Sequence, residues 1–144
     1  MNICDRLRQG IVTETAAQTR ALAVELAAAL PPDTTLALHG DMGVGKTTFV
    51  QGLAQGLGVR EHVTSPTFAI YSVYQGTRCR LIHLDAYRLE QEAQLESLLL
   101  DEFLISPYVL AVEWPEKTGT WLPKDAWHLT LEIIEGDRHR LRLD

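Results

Sequence analysis

Residues 40–47 carry the feature that most constrains this chain, the pattern G-x-x-x-x-G-K-T. The segment reads Gly40-Asp41-Met42-Gly43-Val44-Gly45-Lys46-Thr47. This spacing is typical of a phosphate-binding loop, in which a glycine-rich turn wraps a triphosphate and points its backbone N–H groups inward. Glycine has no Cβ, so the backbone can come close to the phosphate oxygens. The pattern predicts a nucleoside triphosphate site built from Asp41, Met42, Gly43, Val44, Gly45, Lys46, Thr47 and Thr48.

The residues on either side of this loop support the same prediction. The apolar run 35–39 before it indicates a buried strand, and residues 48–54 after it indicate a helix. Strand, loop and helix in this order distinguish a nucleotide site from a glycine-rich turn that happens to carry a lysine. Within such a site Lys46 places a positive charge at the β- and γ-phosphates, and the hydroxyl of Thr47 is the expected magnesium ligand.

Two carboxylates compete to complete the magnesium site. Asp85 follows the apolar run 81–84, and Glu113 follows the apolar run 109–112. Side chains at the carboxyl ends of strands in an open sheet face the ligand crevice, so both could reach it. The strand before Glu113 is the more hydrophobic, which favours Glu113 as the metal ligand and Asp85 as the group that orients water or activates a nucleophile. The alternative for each is a solvated acid at the end of a strand.

Two further residues are candidates by position. Thr67 lies in a polar loop between the phosphate-loop helix and the next strand, where nucleotide hydrolases place switch segments. Its hydroxyl could contact the γ-phosphate, magnesium or the attacking water, or it could satisfy the local backbone of a Ser-Pro-Thr turn. Trp114 follows Glu113 and either stacks near the nucleotide or caps the core. The histidines at positions 62, 83, 128 and 139 have no metal-ligand spacing and are assigned no chemistry.

The remaining pattern predicts an α/β fold. An amphipathic helix is expected from Thr15 to Leu30, capped by Thr13 or Thr15. A second helix is expected from Leu89 to Leu100, with several Glu and Gln residues on its exposed face. Runs 69–74 and 79–84 are close enough to form an antiparallel hairpin, and runs 127–134 and 138–143 form another. Together these elements predict a three-layer sandwich with a mixed central sheet and a C-terminal β-hairpin, similar to phosphate-loop NTPases.

Composition limits the class of protein. A chain of 144 residues with 46% apolar and 22% charged residues suits one globular domain, residues 1–144. A net charge of −6 argues against a protein that binds nucleic acid, DNA included, mainly through its own phosphate contacts. The stretch 138–142 is basic, although alternating charge on an exposed strand face is the simpler interpretation. Cys4 and Cys79 lack metal-ligand spacing, and the chain has no signal-peptide pattern or membrane span, so we expect a cytoplasmic protein.

Four segments together resemble one family. They are residues 40–48, Ser65-Pro66-Thr67-Phe68, His83-Leu84-Asp85-Ala86-Tyr87-Arg88-Leu89 and Val112-Glu113-Trp114-Pro115-Glu116. In this order they resemble the bacterial ATPase family TsaE, formerly YjeE. A phosphate-binding loop is shared by many families, whereas the H-x-D-x-Y-R and V-E-W-P segments at these spacings are far more selective.

The resemblance implies an ATPase that takes part in making N6-threonylcarbamoyladenosine at adenosine 37 of tRNAs that read ANN codons. It implies that Thr47 and Glu113 hold magnesium, that Thr67 belongs to a switch-like loop and that Asp85 is needed for hydrolysis. Thr19 and Trp114 match positions that border the nucleotide base. It also implies weak hydrolysis alone, coupling to the partner subunits TsaB and TsaD, and an indirect role for tRNA.

Two other functions stay open at this point. A small-molecule kinase needs an acceptor pocket and an arginine-rich lid, but Arg78, Arg80 and Arg88 are scattered around a hairpin. A nucleotide-dependent adaptor without turnover has the same sequence pattern as a slow ATPase. A GTPase is disfavoured because the guanine-reading segment Asn-Lys-x-Asp is absent. No arginine stands out as a charge-stabilising finger, which predicts slow hydrolysis by the chain alone.

Overall fold

A seven-stranded mixed sheet organises the protein, in a computed structural model that describes residues 1–41, 43–66 and 70–144. The strand order is β1-β7-β6-β2-β5-β4-β3. The strands are β1 (Ile11–Thr13), β2 (Thr34–His39), β3 (Tyr71–Gln75), β4 (Arg80–Asp85), β5 (Tyr108–Glu113), β6 (Trp127–Glu135) and β7 (Arg138–Leu143). The helices are α1 (Ile3–Gln9), α2 (Ala16–Ala29), α3 (Lys46–Gly56) and α4 (Ala93–Ser97), with 3₁₀ segments at Leu100–Phe103 and Pro115–Trp121.

The centre of the sheet is parallel and its outer strands are antiparallel. β2 pairs in parallel with both β5 and β6, and β5 pairs in parallel with β4. The hairpins β3–β4 and β6–β7 are antiparallel, as is the pair β1–β7. The predicted mixed α/β fold and both predicted hairpins are therefore confirmed. Parallel pairing also brings the carboxyl ends of β2, β4 and β5 to one edge of the sheet.

One face of the sheet is covered by regular helices. Thr15 caps α2, because its side chain accepts a hydrogen bond of 3.1 Å from the backbone N–H of Gln18. Of the two predicted caps, Thr15 is therefore the correct one. Helix α3 packs closely on α2 at Gly52, where an added Cβ would lie 2.4 Å from the carbonyl oxygen of Arg20. The N-terminal α1 and the short β1 were not predicted.

The opposite face is covered by short, irregular segments, and here one prediction is wrong. The helix expected from Leu89 to Leu100 is reduced to α4 at Ala93–Ser97, and Leu99 has a positive φ of 55°. Leu89, Leu95 and Leu100 are all buried in the same apolar cluster. On one straight helix Leu95 would point away from the other two, so the chain bends to bury all three.

Within the described ranges, no helix is long and apolar enough to cross a membrane.

Candidate functional site

The phosphate-binding loop joins the end of β2 to the start of α3. Gly45 precedes the first helical residue with φ of +98°, and Gly43 has φ of +81°. A Cβ built on either glycine meets no atom within 4 Å, so conformation rather than space requires glycine here. Residues with a Cβ rarely adopt these positive φ values. Met42, predicted to contact the phosphates, lies outside the described residues.

Lys46 is held inside this loop. Its side chain is buried, and Nζ donates a hydrogen bond of 2.7 Å to the carbonyl oxygen of Gly40. Nζ also lies 4.0 Å from the centroid of the Trp114 ring, a cation–π contact. Burial lowers the pKa of Lys46 from its ordinary value, and the carboxylates of Glu113 and Asp85 oppose that shift. The lysine is therefore partly desolvated and close to two acids.

Both predicted carboxylates lie at the same edge of the sheet as the loop. Asp85 is the last residue of β4 and Glu113 the last of β5, and the two are directly paired in register. Strand β5 is the immediate neighbour of β2. A cleft of about 420 Å³, called here the carboxylate cleft, is lined by Gly43, Gly45, Lys46, Thr47, Thr48, Ser65, Asp85, Tyr87, Glu113 and Trp114. Most of the candidate site residues predicted from the sequence therefore line this one cleft.

Asp85 is half-buried and its two oxygens have different partners. The backbone N–H of Tyr87 donates to Oδ1 at 3.0 Å, and the hydroxyl of Ser65 donates to Oδ2 at 3.4 Å. Ser65 belongs to the loop predicted to act as a switch, so this loop reaches the carboxylate at the end of β4. Thr67, the candidate in the same loop, lies outside the described residues.

Glu113 is more deeply buried than Asp85, with 4% of its surface exposed. Its Oε2 lies 2.5 Å from Nε2 of His83, whose side chain is fully buried. The sequence interpretation assigned His83 no chemistry and missed this contact. A signal was available, because His83 lies two residues before Asp85 on one strand and must therefore project from the same face of the sheet.

A second cleft lies on the other side of the phosphate-binding loop. It has a volume of about 370 Å³ and is lined by Glu14, Thr15, Ala16, Thr19, Val44, Gly45, Thr48, Leu131, Asp137 and His139. We call it the α2 cleft. Thr19 lies in its wall, and its hydroxyl is 2.7 Å from that of Thr13. Gly45 and Thr48 line both clefts, so the two meet at the phosphate-binding loop.

The structure places Thr19 and Trp114 in different clefts. Trp114 lines the carboxylate cleft, has a positive φ of 57° and packs its ring 5.1 Å from that of Tyr87. Non-glycine residues adopt this conformation uncommonly, and such residues cluster at functional sites. Thr19 lines the α2 cleft instead. The two residues predicted to border a base thus lie on opposite sides of the loop.

The basic C-terminal strand carries charge that is paired with acids. The pairs are Arg138 with Glu14 at 3.9 Å, Arg140 with Glu132 at 3.3 Å, and Arg142 with Asp144 at 3.9 Å. These pairs are solvent-exposed, so each adds little stability. The arrangement favours alternating charge on an exposed strand over a basic patch for nucleic acid.

The carboxylate cleft offers oxygen donors of the kind that Mg²⁺ prefers. Thr47 contributes a hydroxyl and Asp85 and Glu113 contribute carboxylates to its lining. Among the described residues, no three His, Cys, Asp or Glu side chains form a group that could hold a metal ion. Mg²⁺ is commonly bound by one or two carboxylates together with substrate phosphates and water. The donor set therefore fits a magnesium ion that arrives with a phosphate ligand.

Comparisons with known proteins agree with this geometry. The sequence model described as "Threonylcarbamoyl adenosine biosynthesis protein TsaE" matches residues 13–141. The tRNA threonylcarbamoyladenosine biosynthesis protein TsaE of Bacillus subtilis (strain 168) is 38% identical over 124 residues, which is 86% of this chain and 77% of that protein. The protein of the same name from Aquifex aeolicus (strain VF5) is 34% identical over 139 residues, covering 95% and 96%.

A solved structure shares the fold. The crystal structure of YdiB from Bacillus subtilis superposes with a TM-score of 0.74 at 30% identity, covering 93% of this chain and 82% of that one. The family match extends from β1 to β7 and so includes every element that lines the two clefts. This chain belongs to the TsaE family of threonylcarbamoyl adenosine biosynthesis proteins.

Proposed function

We propose that this chain is a magnesium-dependent ATPase that is slow alone and is activated by the TsaB and TsaD subunits. It would act in forming the threonylcarbamoyl group on adenosine 37 of tRNAs that read ANN codons, with tRNA engaged through those subunits, in the cytoplasm. The observation that carries the proposal is the carboxylate cleft, in which Lys46 of the phosphate-binding loop meets Asp85 and Glu113.

Different residues of this cleft would serve different functions in phosphoryl transfer. The loop amides and Lys46 would bind the β- and γ-phosphates, where an ammonium supplies charge-assisted hydrogen bonds. The Lys46 ammonium donates one hydrogen bond to the carbonyl oxygen of Gly40 at 2.7 Å, and its other two N–H groups could contact the phosphates. Thr47 and Glu113 would hold magnesium, which when bound would neutralise charge on the phosphate oxygens.

Asp85 is the candidate for orienting the attacking water. It is more exposed than Glu113, and it is anchored by the backbone N–H of Tyr87 and by Ser65. An anchored carboxylate at the mouth of the cleft can accept a proton from water aligned with the γ-phosphorus. Thr67 stays a candidate for the same task.

The α2 cleft is suited to a nucleoside. It begins at Gly45 and Thr48, where the phosphate-binding loop ends, and its wall combines the apolar Val44 and Leu131 with polar residues that include Thr19, Glu14 and Asp137. Apolar walls with a few polar groups are typical of small-molecule sites. Adenine and ribose bound there would leave the triphosphate to run along the loop toward the carboxylate cleft. Trp114 would then border the phosphates. Any contact that it makes with the base would come from the side of the carboxylate cleft.

A partner subunit would supply what the two clefts lack. Among the described residues, no arginine lines either of them. An arginine donated by a partner can raise phosphoryl-transfer rates by roughly a thousandfold or more. This explains in physical terms why hydrolysis would be coupled to assembly with TsaB and TsaD.

The test is ATP hydrolysis in the presence of Mg²⁺ by the purified chain, alone and with TsaB and TsaD from the same source. We expect a low rate alone and at least a tenfold stimulation by the pair. The variant Asp85→Asn should bind ATP normally but lose roughly a hundredfold or more in stimulated turnover, as expected for the loss of a general base. The control is Asp101→Asn, a matched change at an exposed acid that lines neither cleft.

Other outcomes would point to other functions. Tight ATP binding with no stimulation, and partner complex formation unaffected by Asp85→Asn, would identify a nucleotide-dependent adaptor. Transfer of radiolabelled γ-phosphate to a small molecule rather than to water would identify a kinase. Failure to bind ATP would overturn the proposal altogether.

A further inference from the structure

His83 is a buried polar residue of the sheet that the proposed roles leave unused. It lies on β4, a strand that is paired on both sides, and its side chain is 0% exposed. Burying an imidazole among apolar residues is unfavourable unless it gains hydrogen bonds. Phenylalanine or leucine would fill such a position without that cost, so the histidine needs a specific explanation.

The only hydrogen bond that the described residues offer to the imidazole of His83 is with Glu113. Nε2 of His83 lies 2.5 Å from Oε2 of Glu113, whereas Nδ1 is buried and has no partner among the described residues. A carboxylate can only accept, so Nε2 donates. A buried ring nitrogen that has no acceptor nearby is more stable without a hydrogen, because a buried N–H group with no partner loses its hydrogen bonds to water. The arrangement favours the tautomer with its hydrogen on Nε2.

We propose that His83 is a positioning residue that holds the carboxylate of Glu113 so that its other oxygen is directed to magnesium. The inference rests on the proposed function, because it assigns His83 a role toward the metal that accompanies ATP. A Glu side chain has three rotatable bonds, and one fixed oxygen removes most of their freedom. Such a histidine hydrogen-bonds a metal-ligating carboxylate without touching the metal itself. Loss of partners of this kind weakens metal binding about 10- to 100-fold.

Two amide variants distinguish positioning from mere packing. In His83→Gln the side-chain amide reaches the place of Nε2 and can still donate to Glu113. In His83→Asn the amide reaches only the place of Nδ1, so Glu113 loses its partner while the site remains polar. Both variants remove the imidazole ring, and they differ chiefly in where the donor lies.

The measurement is calorimetric titration of Mg²⁺ into the full-length protein saturated with a non-hydrolysable ATP analogue. A parallel titration measures affinity for the analogue in EDTA. We expect His83→Asn to weaken Mg²⁺ binding about tenfold, with unchanged analogue affinity in EDTA, and His83→Gln to stay within about threefold of the wild type. In a Glu113→Gln background, His83→Asn should have no further effect on Mg²⁺ affinity.

Several results would overturn the inference. Equal loss in both amide variants, or a parallel fall of analogue affinity in EDTA, would show a structural role alone. Wild-type Mg²⁺ affinity in His83→Asn would show that Glu113 needs no support. If the wild type bound the analogue in EDTA but no Mg²⁺ with it, the proposed metal site would fail as well, and failure to bind the analogue at all would overturn the proposed function.

A second measurement decides the matter if His83→Asn does not fold. Nitrogen–proton correlation spectra of the wild-type imidazole report which ring nitrogen carries hydrogen. We expect His83 in the Nε2–H tautomer, with the Nε2 hydrogen signal lost or shifted in Glu113→Gln. An Nδ1–H tautomer would contradict a bond from Nε2 to the carboxylate and would overturn the inference.

Discussion

The two clefts that meet at the phosphate-binding loop differ in how they are built. The carboxylate cleft gathers Lys46, Asp85 and Glu113, and each of these charged groups already has a hydrogen-bond partner in the protein. The α2 cleft combines the apolar side chains of Ala16, Val44 and Leu131 with polar ones that include Glu14 and Asp137. A lysine placed beside two carboxylates in advance of a ligand suits the stabilisation of a charged transition state, whereas a mixture of apolar and polar groups suits binding.

Under the proposed function, the two sides of one loop therefore have separate tasks. Substitutions in the carboxylate cleft should alter phosphate binding, metal binding and turnover. Substitutions at residues that line only the α2 cleft should alter the affinity for the nucleoside part alone.

The largest effect is expected at Lys46. Lys46→Ala removes the ammonium that would contact the β- and γ-phosphates, so affinity for ATP and for inorganic tripolyphosphate should both fall roughly 100-fold. Fluorescence or calorimetric titration measures both affinities. Lys124→Ala, at an exposed lysine, is the control and should change neither. A loss confined to ATP would contradict the placement of phosphate at this lysine.

The second prediction concerns the contact between α2 and α3. In Gly52→Ala the new Cβ would lie 2.4 Å from the carbonyl oxygen of Arg20 and 2.6 Å from Cβ of Ala23. Such overpacking should lower the free energy of unfolding by about 2 kcal/mol, which outweighs the usual gain in helix propensity. Chemical denaturation measures the change. The control is Gln55→Ala at an exposed position of the same helix, and equal stability of both variants would show that the helices can move apart freely.

The third prediction separates the α2 cleft from the phosphates. Ala16 is exposed and lines this cleft, so Ala16→Phe should obstruct it without disturbing the core. We expect ATP affinity to fall about tenfold, or about 1.4 kcal/mol, and tripolyphosphate affinity to stay unchanged. The neighbouring Ala17→Phe is the matched control, because Ala17 is exposed but does not line the cleft. Equal losses for both ligands would mean that the nucleoside does not bind there.

The sequence predicted the carboxylate cleft better than the α2 cleft, for a physical reason. A G-x-x-x-x-G-K-T loop and acids at strand ends are local patterns, and parallel pairing brings Asp85 and Glu113 to the loop. The α2 cleft depends on the start of α2, on Leu131 of β6 and on His139 of β7, which are distant in sequence. Nothing local shows that these segments converge.

The same reasoning explains the missed contact and the wrong helix. The bond between His83 and Glu113 joins the neighbouring strands β4 and β5. The spacing of His83 and Asp85 indicates only that the two share a face, whereas the pairing of β4 with β5 is set by the whole sheet. Between Leu89 and Leu100 the residues have good helix propensity, but the positions of the buried leucines do not form one helical stripe. Tertiary burial overrides propensity there, and Leu99 adopts the left-handed conformation.

The smallest expected effect is a pH dependence at the end of β2, directly before the phosphate-binding loop. Nε2 of His39 lies 2.8 Å from Nδ1 of His128. Burial lowers the pKa of His39, and His128 and Lys46 lower it further, while Glu116 and Asp144 oppose the shift. The unfolded chain therefore binds more protons at this position below about pH 6.5. The free energy of unfolding should fall as the pH decreases from 7 toward 5, and His39→Gln should remove part of that decrease.

The measurement is denaturant unfolding of the wild type and of His39→Gln at several pH values between 5 and 8. The exposed His62→Gln is the control and should keep the slope of the wild type. Because the loop begins at the residue after His39, tripolyphosphate affinity measured over the same pH range tests whether the pair also influences the site. An identical slope in all three proteins would show that burial at this position is too slight to couple protonation to folding.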